Sequence, residues 1–253
     1  MNTAQPGNPP GADMAARHVA RLALRQGIGL PSVIVMTSMM GFGSLAADGG
    51  ISLPTALSAS AFIWGLPGQV AMAELWAAEA SLIAVVLAAS LANARFMPMA
   101  MSLFPLMRGG TRHPGMPYLL VQLLSVNTWA ACQKAFGAIP IRLRVLYYTV
   151  FAGTILIAGQ IGTGLGFFAV AVLPKPVTLG LVFLNPCYFA LLFAGTRTRP
   201  YVAALLFGAV AGPMIFSLTP EWSLLLTGFV GGTAAFLFID DRRSFKGNPG
   251  PRP

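Results

Sequence analysis

Side chains able to do acid–base or nucleophilic chemistry are few in this sequence, and they are poorly placed for it. His18 and His113 fall at the ends of apolar stretches, and none of the 7 acidic residues lies deep inside one. Cys132 and Cys187 sit within apolar stretches with no CxxC or Cys/His spacing, which reads as small packing residues rather than a disulfide or metal pair. There is no acid–base pair, no nucleophile beside a histidine and no glycine-rich phosphate loop. The sequence implies neither catalysis nor a cofactor. What remains is a set of uncharged polar residues and one cation inside apolar segments, a pattern suited to holding a small solute.

That set begins at Trp64-Gly65-Leu66-Pro67-Gly68-Gln69, where proline removes a backbone donor and two glycines lower the cost of unwinding. The helix is expected to break there, freeing amides and carbonyls for a ligand; a plain proline kink is the other reading. Arg95 stands near the middle of 80–107, dividing it into runs of 15 and 12 residues. A guanidinium at that depth costs at least ~2.5 kcal/mol and needs a partner. Glu79 is about 24 Å away along a continuous helix. Backbone carbonyls, an acid elsewhere or a substrate carboxylate remain, unless the segment breaks at Pro98 and Arg95 caps a half-helix. Gln122, Ser125, Asn127 and Thr128, beside Trp129, either line a pore or hold helices together. Gly68-Gln69, Asn93 and Phe96 are echoed by Gly159-Gln160, Asn185 and Tyr188 at an offset of 91 to 92 residues, a pairing that admits an inverted repeat.

The elements that must position these residues follow from composition. Only 9% of residues are charged and 56% are hydrophobic, with mean hydropathy +0.72, so the solvent is a bilayer rather than water. The net charge of +9 is explained by basic ends without invoking nucleic acid. About 26 mostly polar residues precede the first apolar run, which is not a secretory signal pattern. Runs near the length of a crossing are 27–47, 49–73, 80–107, 113–133, 145–174, 176–196, 200–220 and 222–239. The expected fold is all-α and polytopic, with about eight transmembrane helices, some of them broken. A basic segment 1–26 precedes this 27–239 domain and a tail 240–253 follows it. Lys and Arg placement puts both termini in the cytoplasm, with Lys175 and the loop of Arg108, Arg112 and His113 as exceptions on the outer face. Arg17, Arg21 and Arg25 share a helix face, which fits either an interfacial helix on anionic lipid or a topology signal.

The order of motifs resembles the azaleucine-resistance (AzlC-type) family of branched-chain amino acid permeases. The matching residues are Gly41-Phe42-Gly43 through Ala46 to Gly50 and Ser52, then Trp64-Gly65-x-x-Gly68-Gln69, which is similar to that family's Tyr-Ala-Gly-x-x-Gln. Ser81-Leu82 and Asn93-x-Arg95 follow. Looser matches run from Gly159 to Gly164, from Leu179 to Pro186 and from Ala203 to Ser217, so the similarity spans about 27–239. The resemblance implies a bacterial inner-membrane exporter acting with a small AzlD-type membrane subunit. Where such proteins often carry an acidic pair, this chain has Asn127-Thr128, which removes acids that would contact an amine or carry protons. On this reading Arg95 and the amides of Gly65 to Gly68 hold a carboxylate, while Gln69, Asn93 and Asn127 bind the amine. Trp64, Met97 and Trp129 would receive an apolar side chain, with Pro67, Thr128, Gln160 and Asn185 completing the site. The competing readings are a non-transporting scaffold subunit and a channel or exporter for another metabolite.

Overall fold

The computed structural model describes residues 12–110, 115–172, 174–194, 199–218 and 223–238. All its elements there are helical: α1 (Ala12–Ile28), α2 (Leu30–Asp48), α3 (Leu53–Phe62), α4 (Leu66–Ala77), α5 (Leu82–Asn93), α6 (Phe96–Leu103), a 3₁₀ turn (Phe104–Met107), α7 (Met116–Val121), α8 (Val126–Ala135), α9 (Ile141–Ala169), α10 (Lys175–Ala194), α11 (Arg199–Leu218) and α12 (Ser223–Phe238). They form two compact units, Met1–Asn185 and Pro186–Pro253. In the second, α11 packs on α12, with Gly212 leaving room for Thr227.

The frame of the first unit is the pair α2 and α9. Gly162 and Gly166 of α9 lie against the carbonyls of Met36 and Met40, and Gly43 of α2 lies against Thr163, so tightly that a Cβ at any of the three would strike backbone. The four-residue step from Met36 to Met40 matches the step from Gly162 to Gly166, so the two helices run parallel. Parallel neighbours require an odd number of crossings between them.

There is one such crossing, because two of the intervening segments turn back. Gly49, at the end of α2, has Ala77 Cβ and the Ala73 carbonyl within 3.4 and 3.6 Å of where its own Cβ would be. The end of α4 therefore lies at the same end of the bundle as the start of α3, and α3–α4 is a re-entrant hairpin. From there α5 runs back along α4, setting Ala89 and Asn93 against Gly68 and Gly65. After a 41° bend, α6 and the 3₁₀ turn complete the crossing. At the far end Arg144 donates to the carbonyls of Leu106 (2.8 Å), Phe136 (2.8 Å) and Ile139 (3.1 Å), gathering the end of the 3₁₀ turn, the end of α8 and the start of α9. The α7–α8 pair thus enters and leaves at the Arg144 end, a second hairpin facing the first. Their arms of 10, 12, 6 and 10 residues, at 1.5 Å per residue, reach about 9–18 Å into a core roughly 30 Å thick.

The expected count of eight crossings is not reproduced among the described residues. Runs 49–73 and 113–133 each have the apolar length of a span, but hydropathy does not record chain direction, and each folds back on itself. Among the described residues, α2 and α9 are long and apolar enough alone, and the bent pair Leu82–Asn93 and Phe96–Met107 makes a third. α10 starts beside the end of α2 and descends antiparallel to it, through Lys175–Asp48 (3.4 Å), Thr178–Ser44 (3.1 Å) and Val182 against Gly41.

The charges sort accordingly. Arg108, Lys134, Arg142 and Arg144 lie at one end with α1, whose buried Val19, Ala23 and Gly27 face the protein and whose Arg17, Arg21 and Arg25 are exposed. Asp48, Glu74, Glu79 and Lys175 lie at the other. The expected exception at Arg108 disappears because the preceding hairpin does not cross; Arg112 and His113 fall outside the described residues. The residue pairing of the expected repeat also fails, since Gln160 lies within the unbroken α9. The inverted pair is instead the two hairpins. Each opens with proline in the first turn of its entering helix, and each resumes after its tip from an extended residue, Gly65 or Ser125.

Candidate functional site where two hairpin tips meet

The first tip is Ile63–Gly65. Trp64 takes a left-handed backbone (φ +44°), a conformation costly for a bulky residue, and it is buried with its ring against Gly159, whose Cβ would sit 2.9 Å from it. Gly65 and Gly68 admit Asn93; a Cβ at Gly65 would collide with Asn93 Oδ1. The break frees the last carbonyls of α3, and neighbouring amides satisfy them. Asn93 Nδ2 donates to the Ile63 carbonyl (2.9 Å), and Gln122 Nε2, from the second tip, donates to those of Ala61 (2.9 Å) and Phe62 (2.8 Å). The tips are therefore joined. On the α9 side, Gln69 Nε2 donates to Ser60 Oγ (2.9 Å), which is bonded to Thr163 Oγ1 (2.7 Å), which donates to the Gly159 carbonyl (3.1 Å). Because that carbonyl can only accept, the chain has one direction, and it leaves Gln69 Oε1 as the free end. Gln160 Nε2 reaches the Leu57 carbonyl at 3.3 Å.

The second tip, 122–125, is better finished. Ser125 Oγ accepts from the Thr128 amide (3.1 Å) and pairs with its hydroxyl (2.9 Å), a side-chain N-cap for α8. Asn127 and Thr128 are buried in the first turn that follows. Trp129 Nε1 donates to Ser102 on α6 (2.9 Å). By contrast α4 has no side-chain cap at its N-terminus, where Pro67 has no N–H to satisfy.

The unpartnered atoms define what this region can hold. Among the described residues six such atoms are buried without a hydrogen-bond partner: Ser38 Oγ on α2 and, at or beside the tips, two donors, Trp64 Nε1 and Arg95 Nε, and three amide oxygens, Gln69 Oε1, Asn93 Oδ1 and Asn127 Oδ1. Each such atom costs about 1–3 kcal/mol if nothing meets it. Arg95 makes no ion pair among the described residues; its guanidinium lies 5.2 Å from the centre of the Phe96 ring, and that ring touches Gly65. Donors that suit a carboxylate and oxygens that suit an ammonium thus occur at or beside the tips.

Of the expected site residues, Trp64, Gly65, Pro67, Gly68, Gln69 and Asn93 come together at the first tip, with Arg95 one contact away. Gln160 packs against α3, and Asn127 and Thr128 occupy the second tip. Met97 does not join them: it is 69% exposed, because the bend after Asn93 turns it outward. Trp129 faces α6 rather than the first tip. The side chain of Asn185 lies outside the described residues. Ser60 and Thr163 complete the first tip and were not foreseen, and Gly159, expected only as the counterpart of Gly68 in a repeat, joins them; as small residues in apolar helices they carry no signal beyond their type.

Residues 32–173 match a family model described as AzlC protein, an interval that takes in α2, both hairpins, the bent crossing and α9. Neither the curated proteins nor the solved structures compared with the chain gave a match.

Proposed function

The chain belongs to the AzlC protein family, and on that premise we propose that it is the large subunit of a secondary-active exporter of branched-chain or similar small zwitterionic amino acids. It works in the bacterial inner membrane with a small AzlD-type partner. The observation that carries this reading is the complement of unpaired atoms: donors on Trp64 and Arg95 beside an uncapped helix N-terminus, and acceptors on Gln69, Asn93 and Asn127. A free amino acid carries both matching groups on one carbon. The carboxylate is held by Arg95 and the first-turn amides of α4, and the ammonium by the amide oxygens. The basic end, with Arg108, Lys134, Arg142 and Arg144, faces the cytoplasm, and the exposed arginines of α1 meet anionic headgroups there. An even number of crossings keeps both termini on that side. Energy comes from the proton gradient or from exchange.

The scaffold reading draws on a different observation, that the amide nitrogens of Asn93, Gln122 and Gln160 are all spent on backbone carbonyls. The two readings divide over the oxygens. The test is efflux of an amino-acid panel from cells loaded with dipeptides, with the chain alone, with its partner, and as Arg95→Ala. Selective Val, Leu or Ile export that Arg95→Ala abolishes supports the carrier. Normal export by Arg95→Ala, or no export by correctly inserted chain plus partner, overturns it.

A further inference from the structure

Seven serine and threonine side chains are buried among the described residues. Six have partners: Ser32 the Gly27 carbonyl, Ser44 and Thr178 each other, Ser60 and Thr163 each other, and Thr128 the hydroxyl of Ser125. Ser38 on α2, 1% exposed, has none. A serine inside a helix ordinarily gives its proton to a carbonyl three or four residues back, as the neighbouring Thr37 does to those of Ile34 and Val33. Ser38 leaves that outlet unused. A hydroxyl kept for packing alone would fill the same space with its bond made.

Two independent registers set Ser38 level with the first tip. Val35, one turn before it, and the Trp64 ring both come within 3.5 Å of the point that a Cβ on Gly159 would occupy. At the far end of α2, Gly49 meets Ala73 and Ala77 of α4, and the two helices run the same way. Eleven residues, about 16 Å, lead back along α2 from Gly49 to Ser38, and the same step back from Ala73 and Ala77 falls on residues 62–66, the tip and the first residue of α4. Eleven residues also make close to three full turns, so Ser38 shares with Gly49 the face of α2 that meets α4.

We infer that Ser38 is a further residue of the amino-acid site, its hydroxyl donating to the substrate's carboxylate; this rests on the transport reading above. The count of groups sets the direction. Three amide oxygens, on Gln69, Asn93 and Asn127, match the three protons of an ammonium, which leaves the hydroxyl to the carboxylate. A carboxylate offers about four lone-pair positions, and the unpartnered donors Trp64 Nε1 and Arg95 Nε fill two of them. Ser38 fills a third from the α2 side, so the carboxylate is held between the first hairpin and the α2–α9 frame.

The test is equilibrium binding of radiolabelled leucine to the purified full chain with its partner, with 3-methylbutylamine, which is leucine without its carboxylate, as competitor, and thermal unfolding of the same samples. Wild type is compared with Ser38→Ala and, as a control, Ser32→Ala. Ser38→Ala weakens leucine binding about tenfold or more, the scale of one hydrogen bond to a charged group. The inhibition constant of the amine and the melting temperature stay as they are, because the hydroxyl has no bond to lose in the unliganded protein. Ser32→Ala does the reverse, lowering the melting temperature through the lost bond to Gly27 while leucine affinity is kept. Unchanged leucine affinity in Ser38→Ala overturns the assignment and leaves the transport reading intact. A loss shared equally by the amine, or one accompanied by a lowered melting temperature, overturns it in the same way. Absence of leucine binding by the wild type overturns both.

Discussion

The two hairpins have the same plan and opposite finish. In α7–α8 the tip is capped by Ser125, its Gln122 is spent on the other hairpin, and Arg144 ties its base to three carbonyls. In α3–α4 the tip holds a tryptophan in a left-handed conformation, α4 has no side-chain cap, and four of the five unpaired atoms at or beside the tips lie on it or on the adjoining bend. The second hairpin keeps one such atom open, Asn127 Oδ1, against four on the first hairpin and its bend, each costing about 1–3 kcal/mol if nothing meets it. On the proposed reading, the first hairpin is the main binding element and the second chiefly positions it.

Gly65→Ala should break the comparison most severely. The added methyl meets Asn93 Oδ1, and Asn93 cannot swing aside without giving up the Ile63 carbonyl, so a loss of about 1–3 kcal/mol is expected together with loss of transport. Thermal unfolding of the purified protein reads the first, and Gly65→Ala with Asn93→Ala should recover much of the stability but not the flux. Gln122→Leu comes next. It strands the Ala61 and Phe62 carbonyls, costing about 1–3 kcal/mol, and parts the tips, which a spin-label pair on α3 and α7 would report as a longer distance.

Gln69→Leu and Gln160→Leu sharpen the contrast between a reserved and a spent amide. Both remove a donor, but only Gln69 loses a buried oxygen with no partner, the proposed ammonium contact, so efflux should fall at least tenfold for Gln69→Leu and less than threefold for Gln160→Leu. Equal losses would favour the scaffold. The smallest effect belongs to Ser125→Ala, which removes a helix cap worth about 1 kcal/mol, lowering the melting temperature while leaving amino-acid selectivity unchanged.

Much of this was legible beforehand, residue by residue. Proline and two glycines around Leu66 announce a break because each weakens helix locally, and the break is there. Arg95 in an apolar run announces a site or a cap because its charge has no cheap place in lipid, and it stands at the bend. Which way the chain leaves a break is another matter. The arms of α3 and α4 are as apolar as the halves of a crossing, and what turns them back is long-range: Gly49 against Ala77, and Gly68 against Ala89. Loop charge was the one available clue, for placing Arg108 outside violated the distribution that every other basic flank but Lys175 obeyed. That Gln69 and Asn93 each bring an amide oxygen to the tip was readable from residue type. That their nitrogens are already committed depends on Ser60, Thr163 and Ile63, partners that no local pattern reveals.

The two facing hairpins are the central claim, and sidedness tests them most directly. In a Cys132→Ala, Cys187→Ala background, Asp48→Cys, Glu79→Cys, Arg108→Cys and Lys134→Cys are labelled with a membrane-impermeant maleimide, from outside intact cells and in inverted vesicles. The structure predicts that positions 48 and 79 label from one side and 108 and 134 from the other. Labelling of 48 and 79 from opposite sides would make α3–α4 a crossing helix and contradict the account.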